Sequence, residues 1–431
     1  MDSVWTDIKM PRFPMLEGEK KTDVLIIGGG AAGLLCAYFL KKAGIDCTLV
    51  EKSRICSGVT SGTTAKITAQ HGFIYHKLLK KGGLDAAQKY YRANSYAIER
   101  YAELCRNIDC DFVRRDNYVY TRNGREKAEA EQRALEGIGA RSRFTEKTSL
   151  PFRVDAAVMF PDQAQFHPLK FFSAIADGLP IYENTFVSEM IGNTAVTDRG
   201  TIHADTVIVT THFPFINKHG SYFLKMYQFR SYVLALEGAQ KVGAMYVDEA
   251  EGGLSFRDCG DLLLFGGCGA HTGKPCGGWD SLRRLSKKFY PDSRETASWA
   301  AQDCMTLDGV PYIGRYSART ENMYVATGFN KWGMTGSMTA ATVLTDTLLG
   351  KTPDYADVFS PSRSMLTPQL IKNCCNSAAN LLTFSRKRCP HLGCALKWNA
   401  AEHSWDCPCH GSRFDENGTV LNNPANGDLE V

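Results

Sequence analysis

Two groups of residues in this chain have the types and the spacing to do chemistry. The first is Gly28, Gly30 and Gly33, a GxGxxG run between an apolar stretch at 24–27 and a helix-period stretch at 31–42. In such a turn the first glycine permits the reversal, the second lets a pyrophosphate approach the backbone, and the third lets helix and strand pack closely. The helix start at Ala31 turns unpaired N–H groups toward the phosphates. A second apolar stretch at 47–50 closes on Glu51, placed to accept from ribose hydroxyls. The second group is Cys389, His391, Cys407 and His410, set in CPHLGC and CPCHGSRF. Two thiolates and two imidazoles at these spacings suit one metal centre. An iron–sulfur cluster with mixed ligands and a zinc ion both have the right donor atoms, although zinc sites usually show CxxC rather than CxH.

The chain that must position these groups has 431 residues, more than one ordinary core, so two or more units are expected. Its hydrophobic fraction is 44%, its charged fraction 22% and its net charge +4, values of a globular protein with no strong polyelectrolyte character. Nucleic acid is therefore not an expected partner. The N-terminal stretch lacks an apolar run of signal-peptide length, and nowhere do 18 apolar residues run together, so a cytoplasmic protein with no membrane partner is expected. Most of the 15 cysteines are scattered singly, as small buried hydrophobes would be.

Along the chain, residues 1–22 read as a lead-in whose Trp5 and Phe13 pack on the body. SGVTSGTTAKITAQHG, at 57–72, is small and hydroxylated, with Lys66, Gln70 and His71 offering charge and hydrogen bonds; alone it reads equally well as a solvated loop. Residues 84–108 predict one amphipathic helix, 126–136 continue helically, and 166–176 predict a helix opened by His167 and Pro168. The stretches 186–190 and 194–197 alternate like an antiparallel pair, and 206–210 predicts a strand that rejoins the nucleotide-binding sheet. Runs at 232–236 and 262–265 predict a second sheet. Tyr222, Phe223, Tyr227, Phe229 and Tyr232 are candidates for a pocket wall or for plain core. Residues 323–327 predict a strand, and GFNKWGMTGS opens a helix running to Leu349, with Gly333 and Thr335 at its start.

The Gly-rich fingerprint, TTAKITAQHG, VIVTTHFP and DGVPYIGR…ATGFNKWGMT together resemble the FAD-dependent oxidoreductases of the D-amino-acid oxidase (DAO) type, over about residues 20–350. The resemblance implies an α/β fold: a Rossmann-like FAD-binding domain with an inserted antiparallel-sheet substrate domain, similar to the DAO and glutathione-reductase type. Within residues 1–352 the nucleotide-binding parts are expected at about 20–75, 150–212 and 305–352, and the substrate-domain parts at about 76–150 and 213–304. FAD is the implied cofactor. Its contacts would fall on Gly28, Gly30, Ala31, Gly33, Glu51 and Lys52, then on Thr63, Thr64, Lys66, Val187 and Thr210, and near the flavin ring on Gly328, Gly333, Met334 and Thr335.

Residues 353–385 read as a linker interrupted by prolines, with vicinal Cys374 and Cys375 in a short polar helix candidate. The two Cys/His loops beyond it resemble the Rieske [2Fe–2S] proteins. That resemblance implies a small all-β domain at 386–431, with Cys389 and Cys407 on one iron and His391 and His410 on the other. It also implies a loop-to-loop disulfide between Cys394 and Cys409. Ser412 keeps the hydroxyl that in the family hydrogen-bonds a cluster sulfur, whereas Phe414 stands where a tyrosine is usual, which should lower the reduction potential. There is room for few or no strands before the first ligand loop, so this shortened unit is expected to lean on the body or on a second subunit.

The combined reading is an enzyme that oxidises a small C–H donor, an amine or amino acid among the candidates, at FAD and passes electrons singly through the cluster to a carrier protein. No general base is identified; Lys66, Gln70, His71 and Lys331 are the catalytic candidates. The expected partners are a small-molecule substrate and a one-electron carrier, with homo-oligomerisation left open. The rivals are a non-catalytic redox sensor or relay, an oxidase that returns electrons to O2 around a structural cluster, and RNA base modification.

Overall fold

The structure, a computed structural model, describes residues 3–216 and 219–429. The apolar run before Gly28 forms the strand Gly18–Ile27, which pairs in parallel with Cys47–Val50 on one side and Gly200–Val209 on the other. Parallel strands covered on both faces read as unbroken apolar runs, which is why 24–27 stands out in the sequence. Ile181–Tyr182 and Met323–Thr327 extend the parallel order outward, Tyr312–Arg315 closes one edge antiparallel, and the hairpin of Val187–Ile191 with Thr194–Thr197 attaches to Gly200–Val209. The helices Ala31–Lys42 and Gly333–Leu348 share one core with Val24 and Ile26.

A nine-stranded sheet stands beside the first; Arg294–Thr306 forms one edge, followed by Met226–Glu237 and then Leu262–His271, all antiparallel. Two assignments change here. Ala156–Gln165 was expected among the nucleotide-binding parts, but it pairs with Val113–Thr121 in the second sheet. Its first five residues are all buried, so no alternation marks which sheet it joins. Lys66–Ile67 pairs with the same strand, so the TTAKITAQHG stretch is a sheet edge and not a solvated loop. The helix expected over 84–108 spans Tyr75–Cys105, interrupted at Gly83, whose φ of +75° no helix interior accommodates.

The C-terminal strands Lys397–Asn399, Ser404–Asp406, Arg413–Phe414 and Val420–Asn422 form a separate antiparallel sheet. All four follow the first Cys/His loop, which is closed by the bridge between Arg388 and Ala395 and by the Gly393 N–H to the Cys389 carbonyl at 2.8 Å. The preceding segment is not a loose linker. Arg363 pairs with Asp308 at 2.9 Å and donates to the carbonyls of Val310, Pro311, Phe359 and Ser360. A 15-residue helix, Pro368–Leu382, follows, capped by the Thr367 hydroxyl.

The small domain leans on the body through polar contacts that its short chain presents at turns. Asn423 Nδ2 donates to the carbonyls of Thr211 and Phe213, 2.9 Å each, and Gln302 Nε2 donates to the Gly411 carbonyl at 2.8 Å. Arg230 grips Glu402 with both arms, the Nε to Oε1 bond being 2.8 Å, and Arg413 reaches the same carboxylate at 3.0 Å. Burial opposes the Glu402 charge, but hydrogen bonding and charge from Arg230, with Arg413, outweigh it and hold the carboxyl below 4.5. A carboxyl with a depressed folded pKa contributes stability that is complete above its unfolded pKa and is lost as pH falls through the folded one. Replacing Glu402 with Gln should therefore destabilise the C-terminal domain by about 3–5 kcal/mol at pH 7, because the Arg230 guanidinium stays buried without its counter-charge while Arg413 keeps Asp406 at 2.9 Å. Urea unfolding followed by Trp398 and Trp405 fluorescence should show that gap, and the gap should close as the pH falls through the depressed Glu402 pKa. A gap that does not change with pH would remove the ion pair from the docking.

Candidate functional site

Gly28 leaves the first strand with φ of +113°, and a Cβ there would stand 2.9 Å from the Thr210 carbonyl carbon and oxygen. A Cβ at Gly33 would overlap the Gly28 carbonyl oxygen. The Thr210 hydroxyl fills the notch, shared between the carbonyls of Ile27 and Gly28 at 2.9 Å from each. Strand and helix thus meet without side chains between them, and the helix N-terminus opens on a cavity of about 1210 Å³ lined by Gly28, Gly30, Ala31, Glu51 and Lys52. Glu51 Oε2 accepts from the Gly29 N–H at 2.7 Å and Oε1 from the Ser53 N–H at 3.0 Å. Burial raises its carboxyl pKa, and those two hydrogen bonds work the other way. Each oxygen keeps a lone pair for a vicinal diol. Val187 and Thr210 line the same cavity. A side-chain-free cradle, a helix N-terminus and an anchored acid fit the pyrophosphate and ribose of FAD.

Thr63, Thr64, Lys66, His71, Lys331 and Met334 also line the cavity, as does Gly333. The Thr63 and Thr64 carbonyls are held by Trp5 Nε1 at 2.7 Å and by Arg257. Lys66 Nζ lies 3.2 Å from Ser255 Oγ, and burial first, then Arg257, lowers its pKa to about 7. His71 stacks on Trp332 with ring centroids 5.0 Å apart. Its Nε2 is 2.7 Å from the Thr68 carbonyl, which only accepts, so Nε2 carries the hydrogen and Nδ1 accepts from the Tyr90 hydroxyl, also at 2.7 Å. Burial pushes the His71 pKa down to about 3, so the ring is neutral, with both nitrogens hydrogen-bonded.

Gln70 does not reach the cavity. Its Nε2 donates to the Val158 carbonyl and its Oε1 accepts from Asn117, both at 2.8 Å. Gly328 and Thr335 stand behind the lining. A Cβ at Gly328 would overlap Thr306 Cγ2, and the Thr335 hydroxyl is spent on the N–H and carbonyl of Thr68, at 3.0 and 2.9 Å. Lys331 Nζ sits 3.8 Å over the Phe229 ring, and burial lowers its pKa against the pull of Asp303 and Glu251. Sequence reading missed Asp303, whose carboxyl is raised by burial while Lys331 and Arg230 oppose. It lies within the long strand Arg294–Thr306, where no motif marks it. Of the five aromatic candidates, Tyr227, Phe229 and Tyr232 line the cavity, Tyr222 is core, bonded to the Tyr316 carbonyl, and Phe223 faces His410.

At the far wall, Asn423 and Ala425 of the small domain line the same cavity. Behind them the His391 and His410 rings are 5.0 Å apart and nearly perpendicular, with Phe213 beside both at 6.3 and 6.4 Å. Burial lowers the pKa of His391 to about 4 and of His410 to about 3, so both are neutral donors. His410 Nδ1 is buried with no hydrogen-bond partner among the described residues, as expected of a metal-facing nitrogen. The sulfurs of Cys394, Cys407 and Cys409 lie within 4.8 Å of one another, but Cys394 and Cys409 are joined in a disulfide, which leaves Cys389 and Cys407 as thiolate donors. The Cys389 thiol is pulled down to about 7. The hydrogen bond with Cys407 is the largest cause, and bonds from the Ser412 hydroxyl and from backbone N–H groups add to it against burial. Two buried thiols and two neutral imidazoles fit a [2Fe–2S] cluster with mixed ligands.

Residues 23–347 match the family model for FAD dependent oxidoreductase (DAO), and residues 376–431 match that for the Rieske [2Fe-2S] domain, which starts before the expected 386. Over nearly its whole length the chain is similar to YhfW of Bacillus subtilis, a candidate Rieske 2Fe-2S iron-sulfur protein. The two are 33% identical over 488 aligned positions, which cover 98% of this chain and 96% of that one. The cluster loops are 57% identical over 37 residues to the cytochrome b6-f complex iron-sulfur subunit of Nostoc punctiforme, a stretch covering 9% of this chain and 21% of that subunit. In fold, the chain is similar to L-proline dehydrogenase from P. horikoshii (TM-score 0.67, 17% identity, 80% of this chain and 98% of that one). It is similar also to glycine oxidase from Geobacillus kaustophilus (TM-score 0.66, 21% identity, 80% and 100%).

Ser412 is fully buried, and its oxygen accepts from the Ala425 N–H at 3.0 Å while its hydrogen serves Cys389. Phe414, also fully buried, has no hydroxyl to add. Ser412→Ala should lower the cluster potential by roughly 60–130 mV, one hydrogen bond to a charged acceptor at about 1.5–3 kcal/mol. A redox titration followed by EPR measures it, and an unchanged or higher potential would refute the assignment.

Proposed function

The chain belongs to the DAO family of FAD-dependent oxidoreductases and carries a Rieske [2Fe-2S] domain, and on that premise we propose that it oxidises a small amine or amino acid at FAD and passes the electrons singly through the cluster to a carrier. When bound, FAD takes two electrons from a C–H donor and can release them one at a time, the unit in which a [2Fe–2S] centre exchanges them. The observation that carries the reading is the short segment joining the two sites. Thr210 closes the Gly28 turn, and three residues later Phe213 lies against both cluster histidines. Three residues of extended chain span at most about 11 Å. Because the small domain also walls the cavity, the histidine side of the cluster faces the flavoprotein body and not solvent alone. The amine class is supported by the proline dehydrogenase and glycine oxidase that share the fold.

The residues around the substrate space divide by charge. His71 and Trp332 form a neutral wall, Lys331 and Asp303 offset one another, and Lys66 is the group whose charge changes near neutrality, at about 7. Below that pH Lys66 is a buried cation that favours an anionic group in the cavity; above it, it is a free amine able to accept a proton. Substrate oxidation should therefore show a pH transition near 7 that is lost in Lys66→Met, and a profile that is identical in the variant would exclude Lys66 from the reaction.

The deciding experiment adds a panel of amines and amino acids, anaerobically, to protein assayed for FAD, iron and sulfide, and follows flavin absorbance and cluster EPR together. Flavin bleaching with a cluster signal appearing alongside is the expected result. Bleaching with a silent cluster, and peroxide formed in air, would favour an oxidase around a structural cluster. No bleaching across the panel, with ready reduction by a ferredoxin, would favour a relay.

A further inference from the structure

The helix Pro368–Leu382 is amphipathic the wrong way round. Its inward face carries Asn373 and Asn380, each 9% exposed, and Asn376, whose Nδ2 donates to the Pro408 carbonyl at 2.6 Å beside the second cluster loop. Its outward face carries Ile371 at 67% exposure and Leu382 at 87%, eleven residues apart and so on one stripe, with exposed Cys375 and Ala378 between them. A surface helix normally does the reverse, and apolar side chains this exposed mark a face that something covers. The stripe continues beyond the helix into Phe384, 92% exposed, and Leu392, which directly follows the ligand His391.

One side chain ties these pieces into one surface. Arg388 donates to the carbonyls of Leu381 at 3.2 Å, Thr383 at 3.0 Å and Gly393 at 2.7 Å, and the Ala395 N–H donates to the Asn380 carbonyl at 3.0 Å. The helix end and the first cluster loop are therefore fixed side by side. The charge of this segment is one-sided. Residues 358–401 contain six Lys and Arg and no Asp or Glu. Arg363 is consumed by Asp308, but Lys372, Arg386 and Lys397 are exposed and, among the described residues, in no ion pair.

We propose that this apolar, basic-rimmed face is the docking surface for a small acidic one-electron carrier protein, placed where a partner reaches the cluster through the His391 loop. The proposal rests on the electron-transfer reading above and names the partner that reading left open. Each encounter moves one electron, the carrier being reduced as the cluster is oxidised or the reverse. Charge complementarity selects the occupant. Two copies of this chain meeting face to face would oppose basic rims, whereas an acidic protein gains at every one of them. Position decides between a protein and an anionic lipid surface, because the patch is continuous with the loop that holds a cluster ligand.

The test measures binding, without turnover, of an acidic plant-type [2Fe–2S] ferredoxin and of a flavodoxin to the full-length protein loaded with flavin and cluster. Affinity for at least one of them should fall about tenfold or more between about 50 and 300 mM salt. The double variant Arg386→Glu with Lys397→Glu should lose about tenfold at low salt. Leu382→Gln with Phe384→Ser should lose affinity at both salt concentrations, and stopped-flow electron exchange with the carrier should slow in step. All four side chains are exposed, so these variants should fold as the parent does. Affinity for both carriers that ignores salt and both double variants overturns the proposal. So does a native dimer that the apolar variant dissociates while carrier binding persists, or phosphatidylglycerol vesicle binding that the variants abolish with carrier binding unchanged. Failure of the underlying reading is seen separately, as a cluster that stays EPR-silent when substrate bleaches the flavin.

Discussion

The close approach of three backbone segments at Gly28, Gly33 and Thr210 is the constraint on which the rest of the molecule depends. With no side chain at Gly33, the helix Ala31–Lys42 sits directly on the carbonyl of Gly28, and the Thr210 hydroxyl locks the neighbouring parallel strand into the same notch. This fixes where the helix N-terminus points and hence where a pyrophosphate lies. It also fixes where the chain goes after Thr210. The next residues, Thr211 to Phe213, present the two carbonyls that Asn423 takes and the ring that faces both histidines. One notch therefore sets the register of both cofactor sites.

Burial then decides the chemistry of the cavity between them. The same loss of water lowers the pKa of Lys66, Lys331 and His71 and raises that of Asp303. All four shifts favour the neutral form, which is the signature of desolvation and not of any single partner. Buried charge is supported where a partner is built in, as for Arg230, Arg413 and Glu402 at the domain junction and for Arg363 with Asp308 under the connecting segment. The buried groups Lys66, Lys331, His71 and Asp303 are thus biased toward their neutral forms while the domain junction is held by buried ion pairs.

The sequence disclosed what is local and hid what is paired. Gly28, Gly33 and Glu51 could be read because a turn, a helix start and a strand end each demand particular residues within a short window. Cys389, His391, Cys407 and His410 stood out for the same reason, since two short loops carry them; their assignment to the two irons and the disulfide between Cys394 and Cys409 came only through the resemblance. Ala156–Gln165 was placed in the wrong sheet because a strand whose first five residues are all buried shows no alternating face. Asp303 was invisible because its partner Lys331 lies 28 positions away, in the turn before the helix Gly333–Leu348. Gln70 looked like chemistry and proved to be a brace, for a buried amide reads the same in either role until its partners are known.

The inverted helix shows why a domain this short can work at all. A unit of about 46 residues buries too little apolar surface to stand alone, and this one adds a cross-link spanning 15 residues, worth about 3 kcal/mol in loop entropy. It also borrows the body through Asn423, Gln302 and Arg230. Those contacts are polar because turns present backbone carbonyls, and a helix laid against such turns must answer with donors, which Asn376 does at Pro408. Once asparagines face inward, the 3.6-residue period carries Ile371 and Leu382 outward. The exposed apolar face is therefore not an accident of a truncated domain. It follows from packing a helix against the second Cys/His loop, and it puts an exposed apolar stripe beside the first.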